Sequence, residues 1–238
     1  MPKVDVMAFG AHPDDIELGC GGTLIKLVGL GHSVVLVDMV QGEMGTRGTV
    51  GTRRAEAAAA AKIIGAVARE NLKLEDGNIR ADEEAKRRVV EVVRKHRPRL
   101  VFIPYYKDRH PDHYHASQVA YEGVFLAGLA QYETGQESYR PLRVLYYMGW
   151  YEFEPTFIVD ISAQFDQKMD AIYAFSTQFK PGDSFYEQTR LTSRQYNWAL
   201  VHRMAYYGSL IGKQYGEGFL LRGRMEVDNP LEVKFSSF

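Results

Sequence analysis

The chain has little cysteine, no charge of one sign in excess and no long apolar stretch, and each shortage removes a class of protein. Cys20 is the only cysteine among 238 residues, so no intramolecular disulfide can form and the chain suits a reducing compartment. Lys plus Arg number 29 against 30 for Asp plus Glu, which lacks the basic surplus that nucleic acid or an anionic membrane surface would require. No uncharged apolar run approaches the roughly 18 residues of a membrane span, and the longest, such as Gly123–Tyr132, reaches about half of that. The apolar stretch Val6–Phe9 is shorter than the about 7–15 residues of a signal-peptide core. The expectation is a cytoplasmic protein with neither a nucleic acid nor a membrane as partner. Internal repeats, low-complexity tracts and Pro/Gly/Ser linkers are missing too, and Gln178–Ser184 is a polar Pro-Gly loop inside one unit. One domain spanning 1–238 is expected, of ordinary globular composition at 45% hydrophobic and 25% charged.

Three short apolar runs, Val4–Gly10, Ser33–Val40 and Arg99–Tyr105, read as buried parallel strands. Helical spacing lies between and after them, at Gly22–Leu30, Thr52–Ile64, Asp82–His96 and His113–Tyr132. Alternation of this kind predicts an α/β fold, a Rossmann-like, mostly parallel sheet with helices on both faces and the site at the carboxyl ends of the strands. Further on, Arg143–Met148 and Thr156–Ile161 read as strands, and Gln164–Phe179 and Gln188–Leu210 as helices.

The chemistry concentrates after two of these strands. Gly10-Ala-His12-Pro-Asp14-Asp15 follows the first and His110-Pro-Asp-His113 follows the third, so two His-Pro-Asp elements point into one crevice. Pro13 biases His12 toward extended backbone and can open the next helical turn, which lets His12 and Asp15 converge. A catalytic zinc takes three protein ligands and keeps a fourth position for water. His12, Asp15 and His113 supply such a set. Asp14 and His110 then neighbour the water, one fitted to take a proton and the other to donate one or steady an oxyanion. Either cluster alone reads as local helix capping, but five His and Asp side chains in two short loops would cost about 1–3 kcal/mol each if buried unpaired. Gly19, Gly21 and Gly22 do not make a dinucleotide fingerprint, and no Walker Gly-Lys-Ser/Thr is present; these glycines let the start of a helix pack closely on the strand.

Ala11-His-Pro-Asp-Asp-x-x-x-Gly-x-Gly-Gly22 together with His110-Pro-Asp-His113 resembles the LmbE-like (PIG-L) family of zinc-dependent N-acetylglucosamine deacetylases. Gly42–Thr49 with Arg53 and Glu56, and Glu75-Asp76-Gly77, extend the resemblance over most of the chain. It implies zinc on His12, Asp15 and His113, with Fe2+ permitted by the same ligands, Asp14 as general base and His110 as acid or electrostatic stabiliser. It also implies that Arg53 and Asp76 hold sugar hydroxyls, and that the protein is a homo-oligomer. Taken as residues alone, Arg53 is equally a solvated arginine and Asp76-Gly77 a turn pair.

Asp108–His113 and Tyr215-Gly-Glu-Gly-Phe219 look most like the bacillithiol-pathway branch, which deacetylates N-acetylglucosaminyl-malate. On that reading Arg109 and Arg143 are candidates for the malate carboxylates, and Tyr196 for an oxyanion donor; Arg109 could instead pair with Asp108 or Asp112, and Tyr196 could be core. Relatives with an aromatic just before the second motif differ from this chain, which has Asp108 and Arg109 there. The competing readings are an N-acetylchitooligosaccharide deacetylase, an amidase of thiol conjugates, and a metal-containing α/β binding module without catalysis.

Overall fold

A computed structural model describes residues 4–180 and 186–234. Among the described residues seven strands form one sheet: β1 (Val6–Gly10), β2 (Val34–Val40), β3 (Ala68–Leu74), β4 (Leu100–Pro104), β5 (Arg143–Tyr147), β6 (Phe157–Asp160) and β7 (Gly216–Leu220). Their order is β3-β2-β1-β4-β5-β7-β6. The first five in that order run parallel, and β7 is antiparallel to β5 and β6. The helices are α1 (Asp15–Gly29), α2 (Val50–Ile64), α3 (Glu83–His96), α4 (Pro111–Ala127), α5 (Phe165–Tyr173), α6 (Ser176–Phe179) and α7 (Arg194–Ser209).

Alternate residues of the central strands feed two cores. Met7, Phe9, Val35 and Val37 pack with α3 and α4, while Val6, Ala8, Val34 and Leu36 pack with α1 and α2. Both faces are therefore covered, which is why β1 and β2 read as unbroken apolar runs. The chain winds outward from β1 through β2 to β3, then returns to β4 on the other side of β1. That reversal opens a crevice between the carboxyl ends of β1 and β4, where open α/β sheets bind ligands.

Two strands escape the sequence reading. In β3, Ala-Arg-Glu-Asn-Leu-Lys-Leu has no apolar run, because it is an edge strand and its inward side chain is a charge: Arg69 donates to Asp38 of β2 at 2.7 and 2.8 Å and to Glu17 of α1 at 2.5 Å. In β7 the glycines of Tyr215-Gly-Glu-Gly-Phe hide the pattern. Its Glu217 accepts from the backbone N–H of Gly22 and Thr23 at 2.9 and 2.8 Å and from Lys168 Nζ at 2.5 Å, so this motif fastens α1 to the sheet. The stretch read as one helix over Gln164–Phe179 divides into α5 and α6, and Gln188–Leu210 resolves into a 3-10 turn, Arg190–Thr192, followed by α7. Of the Pro-Gly loop at Gln178–Ser184, residues 181–184 lie outside the described residues.

The glycines correct a further expectation. Helix α1 begins at Asp15, not at Gly22, so Gly19, Gly21 and Gly22 are interior to it. A Cβ on Gly19 would overlap the Tyr147 ring, whose hydroxyl is fixed by donating to Phe9 O at 2.8 Å. A Gly19→Ala variant gains helix propensity of about 1 kcal/mol but overpacks a buried aromatic, which costs about 1–3 kcal/mol. Net destabilisation is expected in urea unfolding, and a stabilised variant would show that α1 can slide off Tyr147.

Candidate metal and active site

Residues 11–15 leave β1 and turn into α1, with Asp14 at the helix N-cap in a left-handed backbone conformation (φ 127°) that side chains rarely adopt. The turn is closed by the His12 N–H, which donates to Asp15 Oδ2 at 2.8 Å. Residues 105–113 leave β4 into α4, where Pro111 occupies the first turn and His110 caps the helix. The two loops bring three imidazoles together, with ring centres of His12, His110 and His113 at 4.8–5.4 Å from one another.

Each of two imidazoles shows one nitrogen to Asp15 and gives the other to a carboxylate behind it. His12 Nδ1 lies 3.5 Å from Asp15 Oδ2 and His113 Nε2 3.4 Å from Asp15 Oδ1. Behind them, His12 Nε2 meets Asp76 Oδ1 at 3.1 Å and Asp112 Oδ2 at 3.3 Å, and His113 Nδ1 meets Asp108 Oδ1 at 3.2 Å. The supporting carboxylates are themselves held. Asp112 accepts from the N–H groups of Gly77 and Ile79, Asp76 from Met44 N–H, and Asp108 from the N–H groups of His110 and Trp150.

Carboxylate-backed histidines around a shared carboxylate are the donor set of a divalent transition metal. Potential ligand atoms of His12, Asp15 and His113 lie within 4.8 Å of one another, and the same holds for His12, His110 and Asp112. The second set is already spent, since Asp112 is fully buried with both oxygens engaged and His110 Nδ1 accepts from the Asp112 N–H at 3.2 Å. The first set fits a metal and borders the main cavity through Asp15 and His113.

Protonation follows the same layout. Burial opposes the charge on His12, but Asp112, Asp15 and Asp76 outweigh it and raise the imidazole well above its usual range. His113 is raised by Asp15 and Asp108 against its burial. Asp15, although buried, is held far below the usual carboxylate range by His113 and His12. Asp14 goes the other way: burial pushes it up to about 7, with Arg53 opposing and Asp15 adding to the rise. His110 is lowered by burial and by the neighbouring imidazoles, and it is neutral with its proton on Nε2, because Nδ1 is an acceptor.

The remaining expected residues are placed as follows. Arg53 is neither solvated nor in the cavity wall: it is buried behind Asp14, its Nη2 donating to Pro13 O at 2.6 Å and lying 3.5 Å from Asp14 Oδ2. Asp76 backs His12, with Oδ1 on His12 Nε2 at 3.1 Å and Oδ2 accepting from Met44 N–H at 2.8 Å. Arg143 is excluded by the topology. It pairs with Leu100 at the start of β4, at the opposite end of the strands from the crevice. Arg109 pairs with neither Asp108 nor Asp112 among the described residues; its guanidinium lies over the Trp150 ring, 3.8 Å from the centre, outside the cavity lining. Tyr196, on α7, does line the cavity, with its ring 5.5 Å from that of Trp150 and its ionisation pushed up by burial, so it stays a donor.

The cavity encloses about 530 Å³ above Asp15 and His113, with Leu18, Tyr147, Met148 and Leu200 in its apolar wall. Two buried groups brace the loops around the site. Arg47 donates to the carbonyls of Thr177, Glu187 and Lys180, and Glu56 accepts from Ser176 and Thr177. Neither these braces nor the supporting roles of Asp108 and Asp112 were read from the sequence; the available signal was that both carboxylates stand within or beside the His110-Pro-Asp-His113 element.

The chain is similar to known proteins over most of its length. The family described as PIG-L, GlcNAc-PI de-N-acetylase, matches residues 7–124. A diacetylchitobiose deacetylase of Thermococcus kodakarensis is 31% identical over 230 residues, covering 90% of this chain and 81% of that protein. Among solved structures, a conserved protein from Thermus thermophilus superposes with a TM-score of 0.86 at 36% identity, over 94% of this chain and 98% of the other. An N,N'-diacetylchitobiose deacetylase from Pyrococcus horikoshii, complexed with an inhibitor, gives 0.81 at 28% identity, over 91% and 83%.

Proton linkage gives a test of the donor set. Without metal, the carboxylates around His12 and His113 favour their cationic forms, a stabilisation present fully below the ordinary pKa of 6.5 and lost as pH climbs through the raised values. Metal must displace these protons. Calorimetric titration of zinc at pH 7, repeated in buffers of different ionisation enthalpy, is expected to show release of at least one proton per metal and tighter binding as pH rises. Binding without proton release would contradict the assignment.

Proposed function

Because the chain belongs to the PIG-L, or GlcNAc-PI de-N-acetylase, family, we propose that it hydrolyses the acetamide of an N-acetylglucosaminide, and that its substrate is N-acetylglucosaminyl-L-malate in bacillithiol biosynthesis. The observation that carries the reaction is Asp14, a buried carboxylate beside the donor set but outside it. A purely structural or binding site has no use for a spare carboxylate whose ionisation burial raises to about 7. The malate conjugate is supported by the resemblance of Asp108–His113. The diacetylchitobiose deacetylases among the relatives support a neutral disaccharide as the second reading.

Zinc on His12, Asp15 and His113 would acidify a water and polarise the acetyl carbonyl. Asp14 accepts the proton of the attacking water; its side chain makes no capping hydrogen bond at the start of α1 and so is not spent on the helix. Arg53, 3.5 Å from that carboxylate, keeps it ionisable despite burial. His110 presents Nε2–H, held by the Asp112 N–H on Nδ1, and can donate to the developing oxyanion. Tyr196 is a second donor facing the cavity. Asp14 then returns its proton to the amine, and acetate and a free amino sugar leave.

Acetate release by the metal-loaded protein, with and without chelator, tests this reading. Asp14→Asn is expected to retain metal and lose about 10²–10⁴ in kcat; wild-type-like turnover would reject Asp14 as the base. Arg53→Met removes a charge that lowers the Asp14 value, so the acid limb of kcat/KM should move to higher pH. An unmoved limb would detach Arg53 from the base.

A further inference from the structure

The cavity holds in its wall polar residues that this chemistry leaves unused. Beyond Asp15 and His113, its wall contains Trp150, Glu152, Arg190, Gln195 and Arg203. Two guanidiniums therefore accompany one carboxylate, and among the described residues neither arginine is in a salt bridge. Three arginines held inside the fold have their guanidiniums engaged. Arg47 donates to three carbonyls, Arg69 bridges Glu17 and Asp38, and Arg94 donates to the carbonyls of Ala127, Leu129 and Tyr132.

Arg190 is exposed and lies in the cavity wall. No described residue accepts a hydrogen bond from its guanidinium, which lies over the Trp150 ring, 4.8 Å from the centre. Its backbone is fixed in the turn before α7, where Thr192 Oγ1 donates to Thr189 O at 2.8 Å and Ser193 Oγ donates to Arg190 O at 2.6 Å. Arg203 donates one N–H to Gly149 O at 2.5 Å, which steadies the loop carrying Trp150. A guanidinium resting on an indole is weakly hydrated, and its in-plane N–H fork remains available to match an oxyanion bidentately.

We propose that Arg190, with Arg203 in the same cavity wall and Trp150 as its platform, forms an anion subsite that selects substrates whose sugar carries an acidic substituent over those carrying a second neutral sugar. The inference rests on the deacetylase reading and supplies what Arg109 and Arg143 do not, since one lies outside the cavity wall and the other at the far end of the sheet. Carboxylate and phosphate share the required chemistry, and the substrates tested separate them.

The test uses the metal-loaded enzyme with N-acetylglucosaminyl-malate, N-acetylglucosamine 1-phosphate and N,N'-diacetylchitobiose, comparing wild type, Arg190→Met, Arg190→Lys and Arg109→Met. Arg190→Met is expected to raise KM for the acidic substrate about 10- to 100-fold, with a much smaller change in kcat. Its acidic-over-neutral selectivity should fall at least about tenfold by the same loss. Arg190→Lys should recover part of it, and Arg109→Met should keep it. An effect confined to the malate conjugate or to the phosphate identifies the anion. Equal losses on acidic and neutral substrates, or no change in KM, would overturn the subsite. If wild type releases acetate from none of the three, the deacetylase reading fails, and calorimetric binding of the same compounds still decides the subsite. Weaker binding of an acidic ligand alone to Arg190→Met sustains it, and equal affinities of wild type and variant overturn it.

Discussion

Everything at the crevice depends on how His12 is held. One face of its imidazole is committed to Asp76 and Asp112, which leaves the other nitrogen toward Asp15 and, through Asp15, toward His113. A histidine on a loop would otherwise rotate about two side-chain torsions. Here carboxylates anchored by the backbone N–H groups of Met44, Gly77 and Ile79 fix it, so loops after β2, β3 and β4 all converge on one ring from the loop after β1. The same turn carries Asp14 in a left-handed backbone conformation, between His12 and the Asp15 that accepts the His12 N–H.

The scaffold beneath the site is stiffened by buried charge as well as by apolar packing. Arg69 joins α1, β2 and β3 through Glu17 and Asp38, and Lys168 with Glu217 joins α5, α1 and β7. Such pairs add little net stability over apolar replacements, because desolvation offsets their attraction, but losing one partner leaves an uncompensated buried charge. Their contribution is register. They fix α1, which begins with the candidate ligand Asp15, against three strands at once.

Much of this was legible in the sequence. The apolar runs marked β1, β2 and β4 because strands covered on both faces leave no polar positions, and the two His-Pro-Asp elements marked the strand ends flanking the switch point. Edge strand β3 was hidden because its inward residue is Arg69, and β7 because Gly216 and Gly218 dilute the pattern. Asp76 and Arg53 were seen as residues of the site but assigned to a sugar, since sequence carries no information on which side of an imidazole a carboxylate stands. Arg143 failed for a similar reason: a strand has two ends, and only topology says which one faces the ligand. Arg190 and Arg203 were invisible, because only the packing of the last helix over the crevice brings them to Trp150.

The measurement that bears most directly on this account is anomalous diffraction at the zinc edge from crystals of the zinc-loaded protein. The account requires one zinc bound by Asp15 and by one nitrogen each of His12 and His113, with the other His12 nitrogen still on Asp76 and Asp112 and Asp14 left unliganded. Zinc held instead by His12, His110 and Asp112 would contradict it, since the carboxylate taken here as support would then be a ligand and the ordering of the site would have to be reversed.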